Sequence, residues 1–465
     1  MNAPMNVATN VAMNLDSSEA RAFLDAHPDV EAIELLITDP GGVPRGKLIA
    51  REELLSLYSE GRCVAGSILG LDVTGEDVEE TGLVWSVGDA DRICRPVPGT
   101  LVRANWMSRP GAQVLMTMYE ANGQPCTADP RHALARSVER LEQLGLRPVV
   151  AAEIEFYLVA RDAQGRVVPA PGLLSQRSPQ RLDSYGLGKL HDMAPLFDDI
   201  YAGARAQGLP LRTLMSEYAP GQYEITLLHR NDALRAIDDA ILFKRLVRAT
   251  ALKHGLTACF MAKPFAEQAG SGMHMHVSVQ DQDGNNLFAA DDPAGSPLLR
   301  YAIGGLQTTM AESMLIFAPN ANSYRRFRHQ SYAPMAPTWG INNRSVSLRV
   351  PAGAPPTRHV EHRVSGADAN PYLVAATVLA GVHAGISAKL DPGPPVIGNG
   401  YERGTTASLS RDWLGAIKAA ESSTFLREAL GSELMRALVA IKTQEWDKYN
   451  ALVPATDHDW YLDSV

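Results

Sequence analysis

Six carboxylate and imidazole side chains, gathered in four short segments, limit the folds open to this chain more than any other feature. The segments are Ala-Ala-Glu153-Ile-Glu155-Phe, Ser-Glu217-Tyr-Ala-Pro-Gly-Gln-Tyr-Glu224, Gly270-Ser-Gly-Met-His274-Met-His276 and His-Val-Glu361-His-Arg363. Residues two apart on a strand share a face, so Glu153 and Glu155 point one way with Ile154 and Phe156 behind them. His274, His276 and Ser278 share a face in the same manner, and Glu361 and Arg363 make a third such pair. Glu217 and Glu224 flank Pro220-Gly221, where a tight turn folds both onto one site. Taken singly, a Glu-x-Glu pair is better explained as a surface ion pair, and a lone His as a satisfied core residue. Four such segments in apolar or glycine-rich surroundings reverse that reading, because buried unpaired carboxylates cost several kcal/mol unless cations compensate them. Carboxylate-rich ligation with one or two imidazoles suits Mg²⁺ or Mn²⁺ better than zinc.

The same half of the chain carries Asn-Ser-Tyr324-Arg325-Arg326-Phe and Asn343-Arg344-Ser-Val-Ser-Leu-Arg349, then Arg358 and Arg363. Arginine grips carboxylate and phosphate through two parallel hydrogen bonds. Acidic metal ligands beside arginines suggest metal–nucleotide chemistry with phosphoryl transfer, against the plainer alternative of solvated ion pairs. Neither a Gly-x-x-x-x-Gly-Lys-Ser/Thr loop nor a dinucleotide Gly-x-Gly-x-x-Gly is present. Spacing alone therefore gives a Mg- or Mn-dependent enzyme acting on a phosphate and an anionic substrate.

At 465 residues and 45% apolar content the chain is long enough for two or three domains. A formal net charge of -9 argues against a nucleic-acid footprint. Cys63, Cys94, Cys126 and Cys259 have no metal spacing and read as free, buried or semi-buried thiols in a reducing compartment. The acidic run Glu76–Glu80 reads as a solvated loop. Residues 1–16 lack the basic and apolar regions of a secretory signal and read as a disordered tail. No apolar run approaches the ~18–20 residues of a membrane span. The expectation is a soluble cytoplasmic protein that engages neither membrane nor nucleic acid.

The fold class expected is α+β. A small domain over 17–122 opens with the amphipathic segment Ser17–Ala26. Strand-like runs follow at 30–39, 83–87 and 112–119. The Gly/Pro/Asn-rich stretch 121–130 marks its end, leaving 123–465 as a large domain of motif strands backed by helices. Asp129-Pro130 starts a helix that Gly145 stops. Further helices are expected at Asp232–His254, Pro297–Phe317, Pro371–Leu390, Arg411–Ala420 and Ser432–Asn450.

In this order the segments resemble the glutamine synthetase family, from about Glu31 to the C-terminus. Glu-x-Glu, Glu-x6-Glu, Gly-Ser-Gly-Met-His-x-His, Asn-Arg-Ser-x-Ser-x-Arg and the Ala-Asn-Pro-Tyr372 stretch carry the resemblance. It implies a β-grasp N-terminal domain and a catalytic domain built on a curved antiparallel sheet backed by helices. It implies one metal held by Glu155, Glu217 and Glu224, and another held by Glu153, His274 and Glu361. Arg326, Arg363 and the backbone of Gly270 match the glutamate grip. Arg344 matches the residue that stabilises the transferring phosphoryl group. Arg349, Arg358, His276 and Ser278 fall on the ATP side. The implied reaction forms γ-glutamyl phosphate from glutamate and ATP, and a nitrogen nucleophile then displaces phosphate. The resemblance further implies a dodecamer of two stacked hexamers, with a neighbour's segment Ala65–Leu71 lining the amine pocket.

Three positions depart from the family's ammonium-using members. The flap reads Arg328-His-Gln-Ser-Tyr332-Ala-Pro, with Tyr332 where those members carry a carboxylate. Val64-Ala65-Gly-Ser puts alanine where a second carboxylate helps to deprotonate ammonium. Ala269 replaces an Asn that helps to hold glutamate. Losing two anionic groups leaves a larger, less acidic cavity, unfit for NH₄⁺. The expectation is a ligase for an organic amine, polyamine or small monoamine, with Tyr332 in its pocket. An ammonium-using glutamine synthetase and a catalytically dead homologue are the alternatives. The family's adenylylation signature is missing, and Tyr401 is a weak candidate for modification.

Overall fold

The computed structural model describes residues 16–179, 181–402 and 409–465, so the expected N-terminal tail falls, except for Asp16, outside the described residues. Two sheets organise the chain. The smaller contains β1 (Ala32–Thr38), β2 (Pro44–Ala50), β3 (Arg62–Ala65), β4 (Asp91–Pro96), β5 (Val102–Arg103) and β6 (Gly111–Tyr119). Their order is β2-β1-β6-β4-β3, with β5 also on β6; β1 and β6 run parallel and the other pairs antiparallel. β1 and β6 are almost wholly apolar because each is buried on both faces. Ile33, Leu35, Ile37, Val114, Met116 and Met118 face a small core that takes in Leu54 and Leu57. Leu36 and Leu115 face the large core on the other side.

Two features dock this unit on the rest of the chain. The turn between β1 and β2 rests against Asn370, whose side-chain amide donates to the carbonyls of Asp39 (3.0 Å) and Pro40 (3.3 Å). Gly42 is required there, because it has φ +82° and a Cβ on it would lie 3.2 Å from the Asn370 backbone. At the other end, Asp129 caps the helix Pro130–Glu142 through the Arg131 N–H (2.8 Å). Its second carboxylate oxygen accepts from the Met118 N–H (2.8 Å) and the Thr117 hydroxyl (2.9 Å) of β6.

The expected strand at 83–87 is corrected. Gly82 and Gly88 have positive φ and bracket a segment that ends in a short 3-10 turn, Trp85–Val87; Leu83 and Val84 before the turn are buried, and Trp85 is exposed. The Glu79 carboxylate accepts from the N–H groups of Trp85 and Ser86, both at 2.9 Å, which closes the turn instead of extending it. The Glu76–Glu80 run is likewise only partly a solvated loop. Val78 is buried, and Lys448 pairs with Glu76 at 2.7 Å. Cys63 is exposed, whereas Cys94 and Cys126 are buried and Cys259 is intermediate.

The larger sheet contains β7 (Arg147–Arg161), β8 (Val167–Pro169), β9 (Leu211–Ser216), β10 (Gln222–Leu227), β11 (Thr257–Cys259), β12 (Met273–Gln280), β13 (Trp339–Ile341), β14 (Leu348–Val350) and β15 (Val360–His362). Its order is β13-β14-β15-β12-β7-β10-β9, with β8 and β11 also on β7. It is a mixed sheet and not a purely antiparallel one, because β13 and β14 pair in parallel. Ile154, Phe156, Met273, Met275 and Val277 project from one face onto helices Ala233–Lys253 and Pro371–Ala388. The latter helix has a mean hydropathy of 1.4, apolar and long enough to be compared with a membrane span, yet 72% of it is buried inside the protein. It is a core helix.

The expected helix Pro297–Phe317 breaks into Pro297–Met310 and Met314–Phe317. The Ser313 hydroxyl donates back to the Thr309 carbonyl (2.7 Å) at the break. The helix expected at 411–420 runs over Trp413–Ser422, with Asp412 as its N-cap. Helices Ala194–Ala206 and Thr424–Leu430 were not expected from periodicity.

Candidate active site

Strand register gathers the predicted ligands on the face of the larger sheet opposite its helices. β12 lies antiparallel to β7 with His274 opposite Glu153, and β10 lies on the other edge of β7 with Glu224 opposite Glu155. β15 places Glu361 opposite His276, and β14 places Arg349 opposite Glu361. Glu217 lies at the end of β9, returned by the Ala-Pro-Gly turn in which Gly221 has φ +74°. The result is two trios, Glu153/His274/Glu361 and Glu155/Glu217/Glu224, each with one ligand atom per residue lying within 4.8 Å of the others. They adjoin: His274 Nδ1 is 2.7 Å from Glu153 and 3.5 Å from Glu361, and its Nε2 is 4.0 Å from Glu155.

The trios differ in charge balance. Burial and the neighbouring Glu217 push the Glu155 carboxyl up to about 8. Burial, with Glu153, Glu155 and Glu217 nearby, pushes Glu224 up to about 11. Glu217 is raised as well, mainly by burial. In the other trio burial would raise Glu361, but Arg363, His276 and His274 hold it down at about 2. Glu153 is held well below its ordinary value against the same burial by hydrogen bonds from His274 and His276. A trio of crowded carboxylates that cannot all ionise unaided fits a hard divalent cation with oxygen ligands, such as Mg²⁺ or Mn²⁺.

Arginines ring this basin. Arg363 pairs with Glu361, and Arg349 Nη1 donates to the other oxygen of Glu361 at 2.9 Å. Arg326 is 4% exposed and donates to the Val364 carbonyl (2.8 Å). The buried Nε groups of Arg349, Arg358 and Arg363 have no partner among the described residues, which leaves donors for an anion. Arg358 donates weakly to the Ala290 carbonyl (3.5 Å), Arg344 is exposed near Glu217, and Ser278 is buried on the face it shares with His276.

The Gly270-Ser-Gly272 segment is glycine-rich for a steric reason. A Cβ on Gly270 would lie 2.7 Å from Arg326 Cγ, and one on Gly272 would lie 2.7 Å from Arg326 Nη2 and 2.9 Å from His274 Nε2. The Gly272 N–H donates to Glu155 at 2.7 Å, and Gln222 donates to the Gly270 carbonyl at 3.0 Å. Beside them the Tyr157 hydroxyl donates to the carbonyl of Ala269 (2.7 Å). The flap places Tyr332 65% exposed with φ +57°. Tyr401 ties the flap down by donating to the Ala333 carbonyl (3.0 Å) and packing 5.3 Å from the His329 ring. Ala65 ends β3 opposite Asp91 in the smaller sheet.

Sequence reasoning missed one group. His229 and His359 join His276 in a third set whose ligand atoms lie within 4.8 Å of one another. The signal that could have found His359 is its place two residues before Glu361, whereas His229, just beyond β10, carries no such spacing.

A profile of the glutamine synthetase catalytic domain matches residues 127–461. The chain belongs to the glutamine synthetase family. Among relatives of known activity, it is 39% identical to the gamma-glutamylputrescine synthetase of Escherichia coli, over 96% of this chain and 94% of that protein. It is 33% identical to the glutamate–isopropylamine ligase of a Pseudomonas species, over 96% and 98% of the two chains. Among solved structures, a GmaS/ADP complex aligns with TM-score 0.83 and 27% identity, covering 95% of this chain and 99% of that one. The profile match takes in the larger sheet.

Proposed function

We propose that this chain is an ATP-dependent ligase that joins the γ-carboxylate of glutamate to an organic amine. The observation that carries the reading is the flap tyrosine, Tyr332, beside a basin that keeps both acidic trios. Glutamine synthetase family relatives named for putrescine and isopropylamine support it.

Arg326, Arg363 and the Gly270 backbone hold the carboxylates of glutamate. His276, Ser278, Arg349 and Arg358 receive ATP. A γ-carboxylate oxygen attacks the γ-phosphorus, ADP leaves, and Arg344 neutralises charge on the transferring phosphoryl group. The amine nitrogen then attacks the acyl carbon of γ-glutamyl phosphate and phosphate leaves, while the nitrogen's proton passes to solvent. Glu155, Glu217 and Glu224, and Glu153, His274 and Glu361, would hold Mg²⁺ or Mn²⁺, which when bound would supply neutralisation of the substrates' negative charge. Tyr332 offers the amine an aromatic face in place of an anion. The amine is a polyamine or a small monoamine.

The protein works as a cytoplasmic homo-oligomer of two stacked hexamers, in which a neighbour's Ala65–Leu71 completes the amine pocket. Exposed Trp85, Ile397, Trp460 and Leu462 on the single chain support assembly. Phosphate release from ATP, Mg²⁺ and glutamate is the test, run with ammonium, putrescine, spermidine, ethanolamine and isopropylamine in turn. Turnover with one organic amine and little with ammonium is expected. Ammonium turnover equal to that of the best amine would restore the glutamine synthetase alternative.

A further inference from the structure

We infer that His229, His276 and His359 form a third divalent-cation site, of imidazole type, that takes Zn²⁺ or a similar nitrogen-preferring transition ion. The site is distinct in chemistry from the two carboxylate-rich trios. It does not depend on the ligase reading, because it rests on three side chains and their neighbours alone.

Three imidazoles converge, with ring centroids 5.2 to 5.7 Å apart. The inner two have their outer nitrogens already assigned. His359 Nδ1 faces the Thr357 carbonyl at 2.8 Å, and His276 Nε2 faces the Glu153 carboxylate at 3.4 Å. An acceptor behind the ring fixes the tautomer of a ligating histidine, placing the proton outward and the lone pair inward. The inward atoms, His276 Nδ1 and His359 Nε2, are 3.0 Å apart. That separation is a hydrogen bond while one of them holds a proton. It is also close to the ~3.3 Å expected between two nitrogens on one tetrahedral ion with Zn–N of about 2.0–2.1 Å. His229 is exposed and closes the third side, so its ring can adjust to the ion.

Donor type separates this site from its neighbours. Imidazole suits zinc, copper, nickel and cobalt, whereas carboxylate suits magnesium and manganese. Three protein nitrogens leave a fourth position open to water or to a phosphate oxygen, the arrangement of an accessible site and not of a closed structural one.

The test counts ions on the full-length protein without substrates. The chain is dialysed against Zn²⁺ with Mg²⁺ in large excess, and bound zinc is measured by elemental analysis. Wild type should hold one more zinc per chain than either His229→Asn or His359→Asn. With Co²⁺ in place of zinc, wild type should show the intense visible bands of a low-coordinate imidazole complex, and His229→Asn should lose them. His229 is exposed, so that variant folds, and an unchanged far-ultraviolet circular dichroism spectrum checks it independently. Equal zinc counts in wild type and His229→Asn, or a Co²⁺ spectrum the substitution leaves unchanged, would overturn the inference. Failure here leaves the ligase assay untouched, and the converse also holds.

Discussion

Glu155 illustrates how a burial cost becomes a binding site. Its carboxyl is raised to about 8 by burial and by Glu217, so the metal-free protein carries strain that a cation relieves. Replacing it in Glu155→Gln should raise the melting temperature of the metal-free protein while abolishing most of the rise on adding Mg²⁺. Activity should fall on the order of 10²-fold or more. Calorimetry with and without chelator checks this, and a lower metal-free melting temperature would count against it. The pH dependence follows with a definite sign. A carboxyl whose folded pKa is raised binds more protons folded than unfolded, so stability falls as pH rises toward that pKa. The depressed histidines His229 and His359, both pushed down to about 4 chiefly by desolvation, contribute no further change above their unfolded value of about 6.5. Between pH 7 and 8.5 the metal-free protein should therefore lose thermal stability, and Mg²⁺ should restore more at pH 8.5 than at pH 7. A melting temperature rising over that window under chelation would contradict the assignment. The six trio residues were legible in the sequence because five lie in strands among apolar residues and Glu217 stands before a Pro-Gly turn, where a charge has no other purpose. His229 was not, because it shares no spacing with any trio residue, whereas His359 carried the two-residue spacing to Glu361.

At the scale of elements, register converts local pattern into a site. The two-residue period told which side chains share a strand face, but not that Glu153 faces His274 or that Glu224 faces Glu155. Those pairings depend on which strands lie side by side, which periodicity does not encode. The strand expected at 83–87 fails for a related reason: five apolar-rich residues suit either state, and the positive-φ glycines on both sides decide for a turn. Glycine also sets the side of the basin proposed for glutamate. Gly272→Ala should push Arg326 and His274 apart, and lower kcat/KM for glutamate on the order of 10²-fold. Steady-state kinetics at saturating ATP and amine would show it, and an unchanged constant would mean that Arg326 does not need its close approach to the strand.

For the whole molecule, the smaller sheet and the catalytic body fold as partners. β1 and β6 each contribute to both cores, and Ala437 of the helix Ser432–Asn450 packs into the smaller one. Asn370 is the clearest single bond between them, since it caps the helix Pro371–Ala388 and donates to the Asp39–Pro40 turn. Asn370→Ala should cost about 1–3 kcal/mol, from the lost cap and the stranded carbonyls. Urea unfolding measures it, and a change within ~0.5 kcal/mol would contradict this docking role. The turn residues at 121–130 lie between the last strand of the smaller sheet and the helix Pro130–Glu142, but the sharing of β1 and β6 between two cores appeared in the sequence only as unbroken apolar runs. The most direct test of amine ligation is competition in one vessel. Equal concentrations of ammonium and the best organic amine are supplied with glutamate, ATP and Mg²⁺, and the products are weighed by mass spectrometry. A γ-glutamyl amide as the main product is the predicted result; glutamine as the main product would contradict it.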